Sequence, residues 1–235
     1  MILDIYKDSF EFASKKISVL LLLGVLSFFS ILLIPLVFVY GYDYRVIKQS
    51  AQSMINGEDE PPEFGDYKEM FIDGLRYLVV YLIYMIIPII LISLSTVNKS
   101  FNVILFLIGI IAFVIAMLFL YLAIPNMAAN DDSLKSAFAF SDITKVMSSI
   151  GYGKYILTYF GVVLISIVIF FVAAILITIL FMILGIASLS ISTSGFGAVT
   201  SVGTIIFNFV MLFLVAPYLT LFQHRCQGLL YSLGS

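Results

Sequence analysis

The stretch YILTYFGVVLISIVIFFVAAILITILFMILGIA, residues 155–187, contains no charged side chain and no proline. An α-helix rises about 1.5 Å per residue, so about 20 residues cross a hydrocarbon core of about 30 Å. This stretch exceeds one crossing, and it predicts a long helix that spans a membrane at a tilt. A helix that is apolar on all sides has no face to present to water, so this stretch decides the fold class.

Three other uncharged runs precede this one, and it continues to residue 223. The earlier runs cover residues 17–42, 77–98 and 100–129. Of the whole chain, 62% is hydrophobic, and the mean hydropathy is +1.15. Soluble domains are about 45–50% apolar, so lipid must solvate most of this surface. The sequence therefore predicts an all-α polytopic membrane protein, with residues 1–235 as a single integral-membrane domain.

The last uncharged run is too long for one crossing. Residues 188–203 within it are dense in Ser, Thr and Gly, which favour turns. This pattern predicts a span over residues 155–187, a loop of small residues, and a final span over residues 203–222. Between the second and third runs, residues 98–100 are predicted to form a short polar turn.

The first run, residues 17–42, permits two interpretations. It forms either one helix, which gives five spans, or a hairpin of two short helices turning near residues 27–30, which gives six. Cytoplasmic loops gather lysine and arginine. With six spans, eleven of the twelve lysine and arginine residues lie on one side of the membrane, and only Lys99 lies on the other. With five spans, eight lie on one side and four on the other. We therefore predict about six transmembrane segments in three helical hairpins, in the cell (cytoplasmic) membrane, with both termini cytoplasmic.

An amphipathic stretch precedes each predicted hairpin, with apolar residues spaced by three and four as on one face of a helix. The opposite faces carry charges or hydroxyl groups, which is typical of helices that lie in the membrane interface. This recurrence suggests three hairpin repeats, residues 1–56, 57–129 and 130–235. The apolar faces consist of Ile2, Tyr6, Phe10, Ala13 and Ile17; of Phe64, Tyr67, Phe71 and Leu75; and of Phe140, Ile143, Met147 and Ile150.

Four charged residues beside the spans form a candidate interfacial polar cluster. Asp43 and Arg45 follow the first hairpin, while Asp73 and Arg76 open the next span at a spacing that lets them pair on a helix. The functional interpretation is a cluster that binds lipid head groups. The structural interpretation, which is favoured, is an interfacial anchor formed by arginines and the neighbouring tyrosines.

Two polar segments have simple structural interpretations. Residues 57–66, GEDEPPEFGD, carry five acids and two prolines but lack the spaced ligands and central glycine of a calcium loop. They are predicted to be a solvated turn that aims the next helix, since Pro62 has no amide donor and Gly57 can end a helix. Residues 130–133, Asn-Asp-Asp-Ser, offer an N-cap to the helix that follows.

Two tyrosine stripes begin predicted spans, one of Tyr77, Tyr81 and Tyr84, the other of Tyr152, Tyr155 and Tyr159. They could line a polar cavity, but anchoring at the membrane interface and helix packing are the default expectation.

The sequence argues against several chemistries. No Asp, Glu, Lys, Arg or His lies inside a predicted span, whereas ion-coupled carriers usually place such groups at membrane depth. His224 and Cys226 are too few for a zinc site, and no third group completes a nucleophile–base pair. We therefore predict no catalytic, cofactor-binding or metal-binding residue and no enzyme activity. A net charge of −2 gives no reason to expect nucleic acid as a partner.

Several motifs resemble one known family. They are Tyr40-Gly41-Tyr42 followed by basic residues, GEDEPPEF at 57–64, FIDGL at 71–75, and the segment from Ala137-Phe138 through Ile150-Gly151-Tyr152. This pattern resembles the prokaryotic integral-membrane family catalogued as domain of unknown function 4013, found widely in archaea. The resemblance covers nearly the whole chain, and P-x-F and F-x-D-G are its most specific elements. It implies a membrane protein and supplies no activity or site.

Three hypotheses of function follow. The first is a non-enzymatic membrane protein that organises lipid or partner proteins through its cytoplasmic polar collar, with membrane lipid, other membrane proteins or a second copy of the chain as partners. The second is a small transporter or channel subunit, and the third is a membrane-embedded lipid enzyme. A dry, packed interior favours the first, a continuous polar cavity the second, and carboxylates converging on a lateral opening the third.

Overall fold

The computed structural model describes residues 2–97, 102–189 and 193–235. Within these ranges all regular structure is helical, which confirms the predicted all-α class. The polar turn predicted at residues 98–100, including Lys99, lies outside the described residues. The helices are α1 (Ile2–Ser14), α2 (Ile17–Phe28), α3 (Ile34–Ala51), α4 (Tyr67–Val97), α5 (Asn102–Ala129), α6 (Leu134–Ala137), α7 (Phe140–Ile150), α8 (Tyr152–Leu189), α9 (Thr193–Val210) and α10 (Ala216–Ser232).

Four helical segments of the described chain are long and apolar enough to cross a membrane: Tyr67–Val97, Asn102–Ala129, Tyr152–Ile186 and Gly197–Ser232. Large apolar side chains cover their outer faces, and extended apolar surface of this kind is unfavourable in water. These features make the chain a helical membrane protein. The number of six spans and the side of the termini stay predictions.

The first uncharged run is broken, as the two-helix interpretation predicts. Helix α2 ends at Phe28, the residues Ser30–Leu32 form one 3-10 turn, and α3 begins at Ile34. Pro35 stands in the first turn of α3, where its missing amide would have no partner within the helix. Because α2 has only 12 residues, this break alone does not establish two further membrane crossings.

The prediction of a loop over residues 188–203 is wrong, because most of these residues are helical. Helix α8 continues to Leu189 and α9 begins at Thr193, while residues 190–192 lie outside the described part of the chain. Membrane helices tolerate small polar residues because, in lipid, the backbone finds its partners only within the helix. A π-helical turn, Met211–Val215, joins α9 to α10, and helix continues to Ser232, well past the predicted end at residue 222.

Two of the three predicted amphipathic stretches form separate short helices, α1 and α7, and each buries one face. In α7 the buried face contains Ile143, Met147 and Ile150, as predicted, whereas Phe140, the fourth residue of the predicted face, is exposed. In α1 the buried face is rotated from the predicted one and contains Ile5 and Phe12. The position of these helices in a membrane interface and the three hairpin repeats stay predictions.

The second amphipathic stretch is not a separate helix. Residues 57–66, including Phe64, contain no helix, and Tyr67 opens α4. The other three residues of the predicted face, Tyr67, Phe71 and Leu75, therefore belong to the start of that long helix. Adjacent Pro61 and Pro62 explain the difference. A proline disfavours helical geometry in the residue before it and lacks the amide that a helix interior needs.

The buried core lies at one end of the bundle, which we call the polar end. It contains residues of α1, α2, α3, α4 as far as Met85, the end of α5, α6, α7, the start of α8 and α10. Tyr42, Tyr44, Tyr155 and Phe222 are among its fully buried side chains. The remaining parts of the long helices carry exposed apolar side chains, as expected where lipid is the neighbour.

Helices α3 and α4 cross at the polar end with their backbones in direct contact. A Cβ atom at Gly41 of α3 would overlap the carbonyl oxygen of Met70 of α4, and one at Gly74 of α4 would overlap that of Val37 of α3. The two glycines therefore lie on opposite sides of one reciprocal contact. Small residues are the usual means by which membrane helices approach closely.

We predict that Gly41→Ala lowers the stability of the purified protein by about 1–3 kcal/mol, because the added methyl group forces the two helices apart. Gly153→Ala is the matched control. No atom lies within 4 Å of a Cβ at Gly153 in α8, so this substitution should be neutral or stabilising by up to about 1 kcal/mol. Thermal unfolding in detergent measures both effects, and equal stability of the two variants would contradict the assigned contact.

Candidate functional site

The structure brings together three of the four residues predicted as an interfacial polar cluster. Arg76 Nη1 lies 2.8 Å from Asp73 Oδ1, so the predicted pairing along α4 is present. From α3, Arg45 Nε lies 3.9 Å from Asp73 Oδ2. Asp73 is buried, and a buried carboxylate is costly unless it is paired. The two arginines therefore stabilise its charge from two helices. Asp43 does not join this group.

Asp132, between α5 and α6, completes the cluster. Its Oδ1 accepts a hydrogen bond of 2.7 Å from the Tyr44 hydroxyl group, and Lys48 Nζ lies 2.8 Å from its Oδ2. Arg76 Nη1 lies 3.7 Å from the same oxygen. Asp132 has a φ of 56°, in the left-handed region that aspartate tolerates better than most residues. This geometry directs the carboxylate to α3 and connects the 130–133 segment to the bundle.

The N-cap role predicted for residues 130–133 is not the one the structure displays. Ser133 occupies the N-cap position of α6 without a capping hydrogen bond from its side chain. The Asp132 carboxylate bonds to α3 instead. Burial alone would raise the pKa of Asp132, but the hydrogen bonds from Lys48 and Tyr44 outweigh burial and hold the pKa below its ordinary value of 3.8. Asp132 is therefore ionised at neutral pH.

A second ion-pair centre surrounds Arg225, a fully buried residue of α10. Its Nε donates to Asp8 Oδ1 of α1 at 2.7 Å, and its Nη2 donates to Asp59 Oδ2 at 2.9 Å. The guanidinium carbon lies 4.8 Å from the centroid of the Phe12 ring, a cation–π distance. The second Asp8 oxygen, Oδ2, accepts a hydrogen bond of 2.6 Å from the backbone amide of Asn56. This centre joins α1, α10 and the segment between α3 and α4.

Residues 57–66, which we call the acidic strap, are bound to the polar end along their backbone. Their carbonyl oxygens accept hydrogen bonds from side chains of α3 and of the link between α1 and α2. The donor and acceptor pairs are Lys15 to Asp59, Gln49 to Glu60, Lys16 to Pro61, Tyr42 to Pro62, and Arg45 to both Gly65 and Asp66. The strap is thus a docked segment and not the freely solvated turn that we predicted.

Asp43, the fourth predicted cluster residue, is buried beside His224 of α10. His224 Nδ1 lies 3.4 Å from Asp43 Oδ1, but neither atom makes a hydrogen bond within the described residues. No arginine or lysine of the described chain lies within ion-pair distance of Asp43. Asp43 therefore differs from Asp8, Asp73 and Asp132, each of which has a permanent cation as a partner.

His224 is also part of the wall of a cavity of about 210 Å³, which we call the tyrosine cavity. It lies between α4, α5, α8 and α10 at the polar end. The Tyr121 hydroxyl group is buried and has no hydrogen-bond partner among the described residues. The polar side chains that line the cavity are Tyr77, Tyr81, Tyr121, Tyr159, Gln223, His224 and Gln227.

Residues 28–178 match the model of the family described as "Protein of unknown function (DUF4013)". The chain belongs to this family. No curated protein and no solved structure matches the chain. The DUF4013 match contains the whole Asp73 cluster and Asp43, whereas Asp8 and Arg225 lie outside it. Membership confirms the family that the sequence motifs indicated, and it assigns no chemistry to any of these residues.

In this DUF4013 protein five of the six stripe tyrosines have one of two roles, and the sixth, Tyr152, is exposed. Tyr77, Tyr81 and Tyr159 line the tyrosine cavity, which is the alternative to interfacial anchoring. Tyr84 and Tyr155 instead donate hydrogen bonds to backbone carbonyl groups, of Ala137 and of Leu118 respectively. The fourth cavity tyrosine, Tyr121, stands alone in α5, and no repeated spacing in the sequence marked it.

A larger cavity, of about 420 Å³, lies between α8 and α9 and is apolar. Phe181 and Phe207 contribute to its wall. The hydroxyl groups of Thr178 and Thr204 also lie there, but each donates to a carbonyl oxygen of its own helix. Within the described residues of this family member, no group of three or more His, Cys, Asp or Glu could hold a metal ion.

The pairing of Asp132 predicts a specific acid sensitivity. Because the folded-state pKa is below the ordinary value of 3.8, these ion pairs stabilise the fold above that pH and lose their effect as the pH falls through the folded-state pKa. Asp132→Asn should cost about 1 kcal/mol or less near pH 7, since Lys48 is partly exposed. The difference from the natural protein should shrink below about pH 4.

Melting temperatures of both proteins between pH 3 and pH 7 measure this effect. Asp131→Asn is the matched control, because Asp131 is the exposed neighbour with a similar φ of 52°. A difference between Asp132→Asn and the natural protein that does not change with pH would show that Asp132 makes no contribution as an ion.

Arg225→Met should destabilise the protein by about 3–5 kcal/mol, because it leaves the buried Asp8 carboxylate without a cation. Adding Asp8→Asn to Arg225→Met should recover part of the lost stability, because the asparagine side-chain oxygen can still accept a hydrogen bond from the backbone amide of Asn56. Lys145→Met, which removes an exposed cation, serves as the control and should change stability by no more than about 1 kcal/mol. Thermal unfolding measures all three, and additive losses in the double variant would contradict the pairing.

Proposed function

We propose that this protein is a non-enzymatic multi-pass membrane protein that organises partner molecules at its polar end. The observation that carries the proposal is the construction of the acidic strap. Six of its ten backbone carbonyl groups accept hydrogen bonds from side chains of α3 and of the link between α1 and α2. The side chains of Glu58 and Glu63 are exposed and bond to none of the described residues. A surface that is fixed before binding loses little conformational entropy on binding, so this geometry suits recognition.

The charge of the strap favours a basic protein segment over an anionic membrane surface as the partner. Glu58, Glu63 and Asp66 lie within a few residues of one another, and no ion pair involves them within the described part of the chain. Carboxylates held in a fixed array attract lysine and arginine and repel anionic lipid head groups. A partner protein is thus the preferred form of the hypothesis, and lipid is the alternative.

Three residues of the cluster that we considered as a site for lipid head groups have contacts that favour a structural role for them. Arg45, Asp73 and Arg76 bond to one another, to the strap and to Asp132. Their charges are largely satisfied within the chain, which leaves little for a lipid phosphate. The same pairing supports a non-enzymatic role, because the carboxylates of Asp8, Asp73 and Asp132 are committed to arginine or lysine.

The runner-up hypothesis, a small transporter or channel subunit, requires a polar passage along the bundle. The tyrosine cavity is lined by both polar and apolar side chains, but the cavity between α8 and α9 is apolar. This division favours a local binding site over a passage. A membrane-embedded lipid enzyme, the third hypothesis, would require a carboxylate free to act as an acid or base beside its substrate. Asp43 lacks a permanent cation, but it contacts His224 and does not itself line the tyrosine cavity.

The test compares two variants that remove the same amount of charge. Glu58→Gln with Glu63→Gln removes two of the five negative charges of the strap and leaves its hydrogen bonds to the bundle intact. Glu11→Gln with Asp142→Asn neutralises two exposed carboxylates elsewhere. Each full-length protein is cross-linked in its native membrane, purified and weighed by native mass spectrometry. We expect a retained protein partner with the natural chain and the control, and its loss with the strap variant.

Two further results decide the proposal. Retention of the partner should weaken as the salt concentration is raised, because exposed charge pairs are screened. The proposal fails if the natural chain retains no protein or defined lipid, or if the strap variant retains the same partner in the same amount. Equal melting temperatures of the two variants would establish that the loss is one of surface charge and not of folding.

A further inference from the structure

We infer that the tyrosine cavity binds a small methylated ammonium cation. This inference goes beyond the role proposed for the acidic strap and does not depend on it. It rests on the arrangement of aromatic rings around the cavity, on a buried carboxylate without a permanent cation, and on the size and chemistry of the walls.

The aromatic side chains stand at steep angles to one another around the cavity. The rings of Tyr121 and Tyr159 have centroids 5.0 Å apart and planes at 79°, while Tyr77 and His224 have centroids 6.2 Å apart and planes at 87°. Tyr81 adds a further phenol to this wall of four helices. Aromatic faces carry partial negative charge and attract cations, best of all when several rings surround one position.

The buried formal charge next to this wall is negative. Asp43 is buried and contacts His224 at 3.4 Å, and Tyr40 stacks on Tyr77 next to it. The adjacent Arg225 is already bound to Asp8 and does not compensate for Asp43. A buried carboxylate without a permanent partner is unfavourable, so a cation bound in the cavity beside His224 supplies the missing counter-charge.

The chemistry of the lining selects among cations. A metal ion requires several oxygen or nitrogen ligands in a close shell, and a primary ammonium group requires several hydrogen-bond acceptors. Between its polar groups the cavity is lined by Met117, Leu120 and Val162. A methylated ammonium group makes van der Waals contacts with such side chains and with ring faces, and it has few or no N–H groups to satisfy.

The size of the cavity also limits the ligand. Pockets for drug-sized molecules occupy about 300–1,000 Å³, and this one occupies about 210 Å³. A trimethylammonium group with a short substituent fits such a volume, whereas the acyl part of a lipid does not. The Tyr121 hydroxyl group, buried without a partner among the described residues, is available to a hydroxyl group on that substituent. The cation could be free in solution or belong to a lipid head group.

The experiment uses the full-length protein in nanodiscs of phosphatidylglycerol, which contain no ammonium group. Choline is titrated by isothermal calorimetry, and 3,3-dimethyl-1-butanol serves as its uncharged analogue of the same shape. We expect choline to bind and the uncharged analogue to bind at least tenfold more weakly. In parallel, native mass spectrometry of the protein from nanodiscs with equal phosphatidylcholine and phosphatidylglycerol tests whether one phosphatidylcholine is retained preferentially.

Variants test the assigned residues. Tyr159→Leu and Asp43→Asn should each weaken choline binding at least tenfold, while Tyr159→Phe, which keeps the ring, should preserve it. Tyr152→Leu is the matched control, because Tyr152 is exposed at the start of the same helix and should not affect binding. Unchanged melting temperatures separate loss of binding from loss of folding.

The outcomes are distinct. Binding of free choline supports a soluble cation, and preferential retention of phosphatidylcholine without binding of free choline supports a lipid head group. The inference is overturned if neither occurs, if the uncharged analogue binds as tightly as choline, or if Tyr159→Leu binds like the natural protein. Each of these failures would leave the proposal for the acidic strap unaffected.

Discussion

The buried guanidinium group of Arg225 holds three distant parts of the chain in one place. It binds Asp8 near the beginning of the chain and Asp59 in the acidic strap, while residing in the last helix. A buried arginine is tolerated only where its charge is compensated, so folding must bring these carboxylates to α10. The strap in turn receives the side chains of Lys15 and Arg45, and much of the order at the polar end thus depends on this centre.

The two ends of the bundle are held by different forces. Within lipid there is no hydrophobic drive between helices, so association depends on close packing and on polar contacts. At the polar end both are present, because Gly41 and Gly74 bring two backbones together and ion pairs connect the same helices. The opposite ends of the long helices have apolar contacts, as between α8 and α9. We therefore expect the protein to bind its partners at the polar end, where its shape is fixed.

Much of the fold was predictable because hydropathy and charge act locally. The absence of charge over residues 155–187 predicted a long helix, and the spacing of Asp73 and Arg76 predicted their pairing. Contacts between distant parts were not predictable, since nothing near Asp132 indicates that Lys48 will be its partner. The start of α9 was missed for a different reason: serine and glycine favour turns in water, but lipid removes the competing hydrogen bonds that stabilise a turn.

The π-helical turn Met211–Val215 has a consequence for how the last helix can vary. A π turn accommodates one additional residue within a helix, and one residue corresponds to a rotation of about 100°. The turn thus sets the phase between α9, which faces α8, and α10, which directs Arg225 inward. Deleting a single residue here would rotate α10 relative to α9 by about 100°. The number of residues between α9 and α10 therefore determines the direction in which Arg225 points.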